Sequence, residues 1–329
     1  MARFKDFTPA GVIPATLLAF NDDHTINWAE TIRHLTQVAA TPGISAITVN
    51  GHASEVHGCS FDEQREILDR SLDDVGDKLP IIAGVFADAS HDAARLAKMS
   101  TDAGASALLV FPSGVLAMGG ERRPEMAEAH FQAVASASDL PLICFNYARW
   151  TNLAYPLETI VRLAEKIPSL KAIKDWTAEP MEHERNIRTL QSLARPINVL
   201  TTNSAWLMAS LSMGANGLLS GAGSIIPDLQ VAMFQAIQRG DLNTARALND
   251  RMQPITQAFY APPFLDMHNR MKEAAVLLGR QDRAVVRPPL MKIPESEIQR
   301  IDVALRQGRI GRDGAEELDL VAMTGLAAE

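Results

Sequence analysis

The sequence predicts a (β/α)8 barrel, and three observations lead to this fold class. Short apolar runs alternate with longer segments of helical period from Gly11 to about Gly240. There are eight such runs, which is the number of strands that closes a parallel barrel of this kind. No Gly-x-Gly-x-x-Gly motif follows the first run, so the alternative fold, an open doubly wound sheet, is less well supported.

The eight runs are the predicted strands, and each is short enough for a strand buried on both faces. They cover residues 12–18, 46–50, 81–85, 107–111, 140–146, 170–174, 198–202 and 217–220. Helices are predicted to begin near Asn27, Asp62, Ser90, Pro124, Pro156, Met181, Ser204 and Asp228, several of which are typical cap or first-turn residues. The segment 62–75 shows the pattern, with Ile67, Leu68, Leu72 and Val75 on one apolar face.

The strand pattern stops after Gly240. Residues 242–248, 254–260 and 266–278 are predicted to be helices, interrupted by Ala261-Pro262-Pro263. The sequence therefore predicts a catalytic barrel over residues 1–240 and a C-terminal helical domain and tail over residues 241–329. We expect one surface helix after Pro294, and then a tail that is mobile or docked on a partner.

Composition and charge exclude several classes of function. The chain has 329 residues, of which 47% are hydrophobic and 21% charged, and its formal net charge is −8 with a pI near 5.5. Because no basic run could follow a phosphate backbone, nucleic acids and anionic membranes are not expected partners. The start lacks an apolar signal-peptide core. Cys59 and Cys144 allow one disulfide at most, and we expect a cytoplasmic protein.

Lys174 is the residue that most needs an explanation, because it closes the apolar run Leu170-Lys171-Ala172-Ile173. Barrel enzymes carry their chemistry at the carboxyl ends of their strands. Burial there lowers the pKa of an ammonium group and leaves a neutral amine, which can attack a carbonyl and form a Schiff base. The alternative is a lysine at a strand end that extends into solvent.

Several motifs in order resemble the dihydrodipicolinate synthase/N-acetylneuraminate lyase family, over roughly residues 8–295. They are Gly51-x-x-x-Glu55 after strand two, Phe145-Asn146 after strand five, Ala172-Ile173-Lys174-Asp175 at strand six, Gly214-Ala215-Asn216-Gly217 before strand eight and Arg287-Pro288-Pro289-Leu290 near the end. The resemblance implies a barrel with a C-terminal helical domain, commonly a homotetramer. It also implies an imine between Lys174 and a 2-oxo acid, usually pyruvate.

The chain departs from the family pattern at three places. After strand two it has Gly51-His52-Ala53-Ser54-Glu55, where the family has hydroxyl residues that hold the substrate carboxylate. Phe145 replaces the usual tyrosine, and a phenyl ring cannot transfer a proton. Ser113-Gly114 replaces a pair of tyrosines after strand four. The arginine that synthases use for the second substrate falls near Arg149 or Trp150. Together, the departures argue against the synthase activity of the lysine pathway.

Two residues are candidates to replace the missing tyrosine. His52 belongs to a residue type that titrates near neutrality, and Tyr147 lies two positions after Phe145, on the same side of an extended strand. The alternative is that His52 only shapes the pocket and Tyr147 packs outside it. The spacing His52-x-x-Glu55-x-His57 also allows a metal site, which the lysine mechanism does not need.

We therefore predict a Schiff-base lyase, an aldolase or dehydratase, that acts on pyruvate or another 2-oxo acid without a metal or other cofactor. The predicted site residues are Lys174, His52 and Tyr147 for catalysis and Gly51, Ala53, Ser54, Phe145, Leu219, Ser220 and Gly221 for substrate binding. Trp150 and Trp176 favour a bulkier or less charged second substrate than the semialdehyde of the synthases. No chemistry is assigned to His268, Arg270 and Lys272, which we expect at the domain interface or on a solvated face.

The alternatives to this predicted function are the lysine-pathway synthase and a catalytically silent paralogue that binds a 2-oxo acid. We expect a homo-oligomer, a dimer or tetramer.

Overall fold

Eight parallel strands form a barrel in the computed structural model, which describes residues 3, 4 and 6–316. The strands are β1 Gly11–Pro14, β2 Ile47–Val49, β3 Ile81–Val85, β4 Ala107–Val110, β5 Leu142–Asn146, β6 Leu170–Asp175, β7 Asn198–Thr201 and β8 Gly217–Ser220. Each strand pairs with the next along the chain from β2 to β8, and β8 pairs with β1. Isolated bridges from Val12 to Ile44 and from Ala15 to Thr48 join β1 to β2, so the predicted fold class is confirmed.

A helix follows each strand on the outside of the barrel. The helices are α1 Trp28–Ala39, α2 Phe61–Val75, α3 Ser90–Ala103, α4 Pro124–Ala137, α5 Leu157–Lys166, α6 Pro180–Gln191, α7 Leu207–Ser212 and α8 Pro227–Gln238. The start of α2 shows why the helices begin where they do. The Ser60 hydroxyl accepts a hydrogen bond from the Glu63 N–H while the Glu63 carboxylate accepts one from the Ser60 N–H, which satisfies two donors that a helix end leaves free.

The C-terminal region is helical, as predicted, but its first helix is longer. It consists of α9 Leu242–Phe259, α10 Met267–Leu277 and α11 Glu295–Gln307, followed by a hairpin of β9 Ile310–Gly311 and β10 Gly314–Ala315. The prediction of separate helices at 242–248 and 254–260 is wrong, because α9 continues through Pro254. Burial of Met252, Ile255 and Phe259 in the core holds the helix together across the proline.

Helix α11 confirms the helix predicted after Pro294, although Ile301 and Leu305 bury one face of it. The end of the predicted tail, residues 317–329, lies outside the described residues.

The two-domain division stays a prediction. Within residues 6–316, no helix is both long and apolar enough to cross a membrane. Cys59 and Cys144 are both free thiols.

Two largely buried arginines hold the segment 308–316 against the body of the protein. Each guanidinium donates to three backbone carbonyl groups, which spreads its charge over several acceptors. Arg251 donates to the carbonyls of Gly308, Arg309 and Glu316, and Arg280 to those of Ile225, Gly311 and Arg312. Ile225 directly follows the loop after β8, so the segment is tied to the face of the barrel that carries the strand ends.

Candidate active site

Lys174 lies in β6 near its carboxyl end, and its side chain points into the barrel. The residue is 6% exposed, and the Nζ atom lies 4.1 Å from the centre of the Phe145 ring, which is its neighbour in the register of β5 and β6. Among the residues that the structure describes, Nζ has no carboxylate or other hydrogen-bond partner. Burial lowers the pKa of Lys174 to about 7, so a large fraction of the amine is neutral at physiological pH.

Asp175 follows Lys174 in the strand, and its carboxylate lies on the opposite face because successive side chains of a strand alternate. Its Oδ2 atom lies 2.7 Å from His183 Nδ1 and accepts a hydrogen bond of 3.3 Å from Asn186. His183 Nε2 lies 2.7 Å from the Ser210 hydroxyl. Although the order Asp–His–Ser resembles a hydrolytic triad, all three side chains are buried without access to substrate. The network therefore anchors β6 to α6 and α7.

His52 and Tyr147 are hydrogen-bonded to each other through His52 Nε2 and the phenol oxygen. The Phe145 ring separates this pair from the lysine on one side, with its centre 4.4 Å from the Tyr147 ring. Burial, aided by the charge of Lys174, lowers the pKa of His52 to about 3, and burial raises the pKa of Tyr147. The pKa of His52 thus lies below the near-neutral range expected for the residue type, because burial disfavours the charged ring. The hydrogen bond couples the two side chains.

The predicted substrate-binding residues fall into two groups. Gly221 lines a cavity together with Lys174, and Phe145 contacts the amine. The remaining five, Gly51, Ala53, Ser54, Leu219 and Ser220, do not line that cavity. The Ser54 hydroxyl donates to the Thr16 carbonyl at 2.8 Å, and the Ser220 hydroxyl is within 2.7 Å of the Ser204 hydroxyl. Both hydroxyls are therefore already engaged in holding their loops in place.

Two adjoining cavities lie at the strand ends. The inner cavity, of about 30 Å³, is lined by His52, Lys174, Trp176, Thr202, Gly221, Tyr260, Met267 and His268. The outer cavity, of about 570 Å³, is lined by His52, Glu55, His57, Tyr147, Trp150, Thr151, Trp176, Phe264, Leu265, Met267, His268, Pro289 and Leu290. His52 lines both cavities, Lys174 the inner one and Tyr147 the outer one, so the lysine and both predicted proton carriers border neighbouring cavities.

Aromatic rings dominate the outer cavity. The Trp150 ring lies 5.2 Å from Phe264 and 5.3 Å from Trp176, and Trp176 lies 6.1 Å from Phe264. No lysine or arginine is among the lining residues. Arg149 instead donates two hydrogen bonds of 2.8 and 3.1 Å to Glu182 and borders a separate cavity of about 510 Å³. The outer cavity thus suits a flat, uncharged group better than a carboxylate.

Residues of the C-terminal region complete both cavities, and sequence reasoning missed them. Tyr260, Met267 and His268 line the inner cavity, and Phe264 and Leu265 line the outer one. Of the two expected positions, the domain interface or a solvated face, burial excludes the solvated face for Lys272 and Arg270. The spacing of His268 and Lys272 was an available signal, because residues four apart share one face of a helix.

Lys272 forms a buried ion pair with Glu55, which follows β2. The other Glu55 oxygen accepts a hydrogen bond of 2.9 Å from the Arg287 N–H, and Lys272 also donates to the Val285 carbonyl at 2.8 Å. This contact joins α10 to the barrel. The ion pair also occupies the carboxylate of Glu55, which is the central residue of the possible metal motif His52-x-x-Glu55-x-His57. In the part of the chain that the structure describes, no cluster of three or more His, Cys, Asp or Glu residues could hold a metal ion.

A buried amine without a counter-charge, at the carboxyl end of a barrel strand, defines a site for lysine Schiff-base chemistry. The sequence profile of the Dihydrodipicolinate synthetase family matches residues 8–308, and the chain belongs to this family. The protein is accordingly a class I lyase, an enzyme that works through a lysine Schiff base.

Curated relatives match over most of their length. A 4-hydroxy-tetrahydrodipicolinate synthase of Methanopyrus kandleri is 27% identical over 292 residues, which are 88% of this chain and 93% of the relative. A synthase of the same name from Nitratidesulfovibrio vulgaris is 28% identical over 276 residues, covering 83% and 90%.

Solved structures share the fold at lower identity. The YagE protein of Escherichia coli K12, a prophage protein of the dihydrodipicolinic acid synthase family solved in complex with pyruvate, superposes with a TM-score of 0.83 at 22% identity, covering 91% of this chain and 98% of that one. A putative dihydrodipicolinate synthetase from Pseudomonas aeruginosa gives 0.82 at 22% identity, covering 92% and 100%.

Proposed function

We propose that the protein is an aldolase or dehydratase that binds pyruvate or another 2-oxo acid as an imine on Lys174. The observation that carries this proposal is the buried amine of Lys174, which lies against the Phe145 ring and whose pKa is lowered to about 7 by burial. Such an amine is nucleophilic at neutral pH. The protonated imine then withdraws electrons from the neighbouring carbon, which permits loss of a proton, of water or of an aldehyde.

His52 and Tyr147 take the place of the tyrosine that is missing at Phe145. Imine chemistry needs a group that removes a proton from the carbon next to the imine and returns it. The hydrogen bond between His52 Nε2 and the Tyr147 hydroxyl supports a relay in which the phenol proton moves toward the imidazole while the phenol oxygen accepts the substrate proton. His52 also lines the cavity of Lys174, which gives the pair access to the substrate.

Backbone N–H groups hold the carboxylate of the 2-oxo acid. The loop from Gly51 to Ser54 and the loop from Leu219 to Gly221 flank the lysine, and the Ser54 and Ser220 hydroxyls serve to fix these loops. Gly221 lines the inner cavity. Because a glycine has no side chain, a ligand can approach its backbone closely.

The second substrate is an aldehyde with an apolar or aromatic body. Trp150, Trp176 and Phe264 support this choice, since their rings stand 5.2 to 6.1 Å apart around the outer cavity. The relatives named 4-hydroxy-tetrahydrodipicolinate synthase make that activity the second candidate. Against it stand the Arg149 side chain, which is paired with Glu182, and the lining of the outer cavity, which includes no lysine or arginine among the described residues. A 2-oxo-acid-binding paralogue without turnover is the third candidate.

Two further properties belong to this proposal. The free thiols of Cys59 and Cys144 fit a reducing, cytoplasmic location. A homo-oligomer, dimer or tetramer, fits the exposed Val115 and Met118 side chains on the loop after β4, which are 60% and 88% exposed. The mass of the purified protein in solution tests the oligomeric state.

Reductive trapping tests the imine. The protein is incubated with pyruvate, reduced with borohydride and measured by intact-protein mass spectrometry, with Lys174→Ala as the variant and Lys171→Ala, a neighbouring strand residue, as the control. We expect one covalent adduct per chain in the wild type and the control, and none in Lys174→Ala. An adduct that persists in Lys174→Ala contradicts the mechanism.

A panel of second substrates separates the three candidates. Pyruvate is offered with benzaldehyde, with an aliphatic aldehyde and with aspartate semialdehyde, and product formation is followed by chromatography. We expect the uncharged aldehydes to be preferred. A strong preference for the semialdehyde supports the synthase, while an adduct without product from any aldehyde supports the silent paralogue.

A further inference from the structure

We propose that His268, carried by α10 of the C-terminal region, is the acid–base group for the oxygen of the second substrate. This inference rests on the proposed function, since it assumes an imine on Lys174 and an aldehyde in the outer cavity.

The position of His268 between the two cavities is the first argument. Only four residues line both of them, namely His52, Trp176, Met267 and His268. In an aldol reaction the bond forms between a carbon held by the imine and the carbonyl carbon of the aldehyde. The aldehyde oxygen therefore lies at the junction of the cavities, within reach of these four side chains.

The chemistry of the four side chains is the second argument. An indole and a thioether do not exchange protons at neutral pH. His52 is already hydrogen-bonded to Tyr147. His268 makes no side-chain hydrogen bond within residues 6–316, so its ring nitrogens are available. Its Nε2 atom points toward the β8 loop, where it would lie 2.9 Å from a Cβ atom placed on Gly221.

The surroundings of His268 keep its ring in the neutral form. Burial lowers the pKa of His268 well below the usual value, and the nearby Lys174 and Lys272 lower it further. The ring is therefore neutral when the substrate arrives, and it can accept a proton.

The cleavage step balances as follows. The imine of a 4-hydroxy-2-oxo acid loses its hydroxyl proton to the neutral His268 ring, and the electron pair of that O–H bond forms the aldehyde carbonyl. The bond between carbons 3 and 4 breaks, and its electrons form an enamine and neutralise the imine nitrogen. Addition is the reverse, with the His268 imidazolium donating its proton to the aldehyde oxygen.

Two half-reactions isolate the role of His268. Exchange of the pyruvate methyl protons in D2O, followed by NMR, needs Lys174 and the His52–Tyr147 pair but no aldehyde. Cleavage of 4-hydroxy-2-oxo-4-phenylbutanoate, followed by release of pyruvate, needs the base as well. The variant is His268→Asn, which keeps a polar side chain of similar reach, and the control is His91→Asn, a side chain that is 81% exposed on α3.

We expect His268→Asn to lower the kcat of cleavage about 100-fold or more, while methyl exchange stays within about 3-fold of the wild type and His91→Asn changes neither. Cleavage that is unaffected in His268→Asn, or exchange that is lost together with cleavage, overturns the role of His268. Wild-type exchange without cleavage overturns the aldehyde assignment and this inference with it. Absence of both exchange and cleavage in the wild type overturns the inference too, and in that case a missing borohydride-trapped pyruvate adduct shows that the imine proposal itself has failed.

Discussion

Lys174 and Lys272 are both buried, but Lys174 lies against an aromatic ring and Lys272 against a carboxylate. Lys272 is paired with the Glu55 carboxylate, so burial lowers its pKa against an opposing attraction that favours the charged form. Lys174 has an aromatic ring where Lys272 has a carboxylate, and burial alone lowers its pKa to about 7. Burial therefore does not make a lysine a nucleophile. What matters is whether a carboxylate is within reach.

The strand itself keeps a carboxylate away from Lys174. Asp175 is the next residue, but alternation along β6 turns it to the opposite face, where its Oδ2 atom is bonded to His183 and Asn186. On the helix α10, by contrast, Lys272 projects toward the loop after β2, where it finds Glu55. The same type of side chain thus has a proposed chemical role in one region and a structural role in the other.

The largest effect on stability is expected at the paired lysine. Replacing Lys272 with Met leaves the buried Glu55 carboxylate without its cation, which should lower the free energy of unfolding by about 3 to 5 kcal/mol. Urea denaturation at pH 7 measures it. The double variant Glu55→Gln/Lys272→Met should recover most of the loss. If the double variant is no more stable than the single one, the ion pair is not what α10 relies on.

Replacing the unpaired lysine, Lys174, should change the free energy of unfolding in the opposite direction. Lys174→Met should abolish the imine yet raise the stability at pH 7, because it removes an amine whose charged form is disfavoured in the folded state. The folded-state pKa is about 7 and the unfolded pKa about 10.4, so between these values the unfolded state binds more protons and wild-type stability rises with pH. The advantage of the variant should therefore shrink by about 3 kcal/mol between pH 7 and 9.5. A constant difference would show that Lys174 titrates normally.

The network of Asp175, His183 and Ser210 should contribute to stability but not to the reactivity of the Lys174 amine. His183→Ala removes the partner of a buried carboxylate, and we expect a loss of about 2 kcal/mol in urea denaturation. The rate of reductive trapping with pyruvate should stay within about 2-fold of the wild type, because Asp175 remains on the far face of β6. A large fall in the trapping rate of a folded variant would contradict this separation.

The smallest effect concerns a thiol beside Lys272. Burial raises the pKa of Cys59 to about 12, and its Sγ atom lies 3.5 Å from the Glu55 carbonyl. In the native protein at pH 8 we expect Cys59 to react with a thiol reagent far more slowly than in the urea-unfolded protein. Lys272→Met should accelerate this reaction and Lys174→Met should not. Equal rates in both variants would show that the two regions open together.

The barrel and Lys174 could be predicted from the sequence because the signals are local. Eight apolar runs and one lysine at a strand end can be read within a few residues, and the alternation of Lys174 and Asp175 follows from strand geometry. The neutral state of His52 could not be predicted, since its pKa depends on burial against rings from other strands. His268 and Tyr260 were missed for a similar reason, because their place in the cavities depends on how α9 and α10 pack on the barrel.

Helix α10 carries both Lys272 and the proposed base His268, which links assembly of the fold to completion of the site. A ribosome makes all eight strands, Glu55 and Lys174 before it makes residue 267. Until α10 docks, Glu55 lacks its cation and the outer cavity lacks Phe264, Leu265 and His268. A chain interrupted before α10 would therefore carry the amine without the residues that enclose and complete the site, so the chemistry of Lys174 waits for the docking of a segment that is made after the whole barrel.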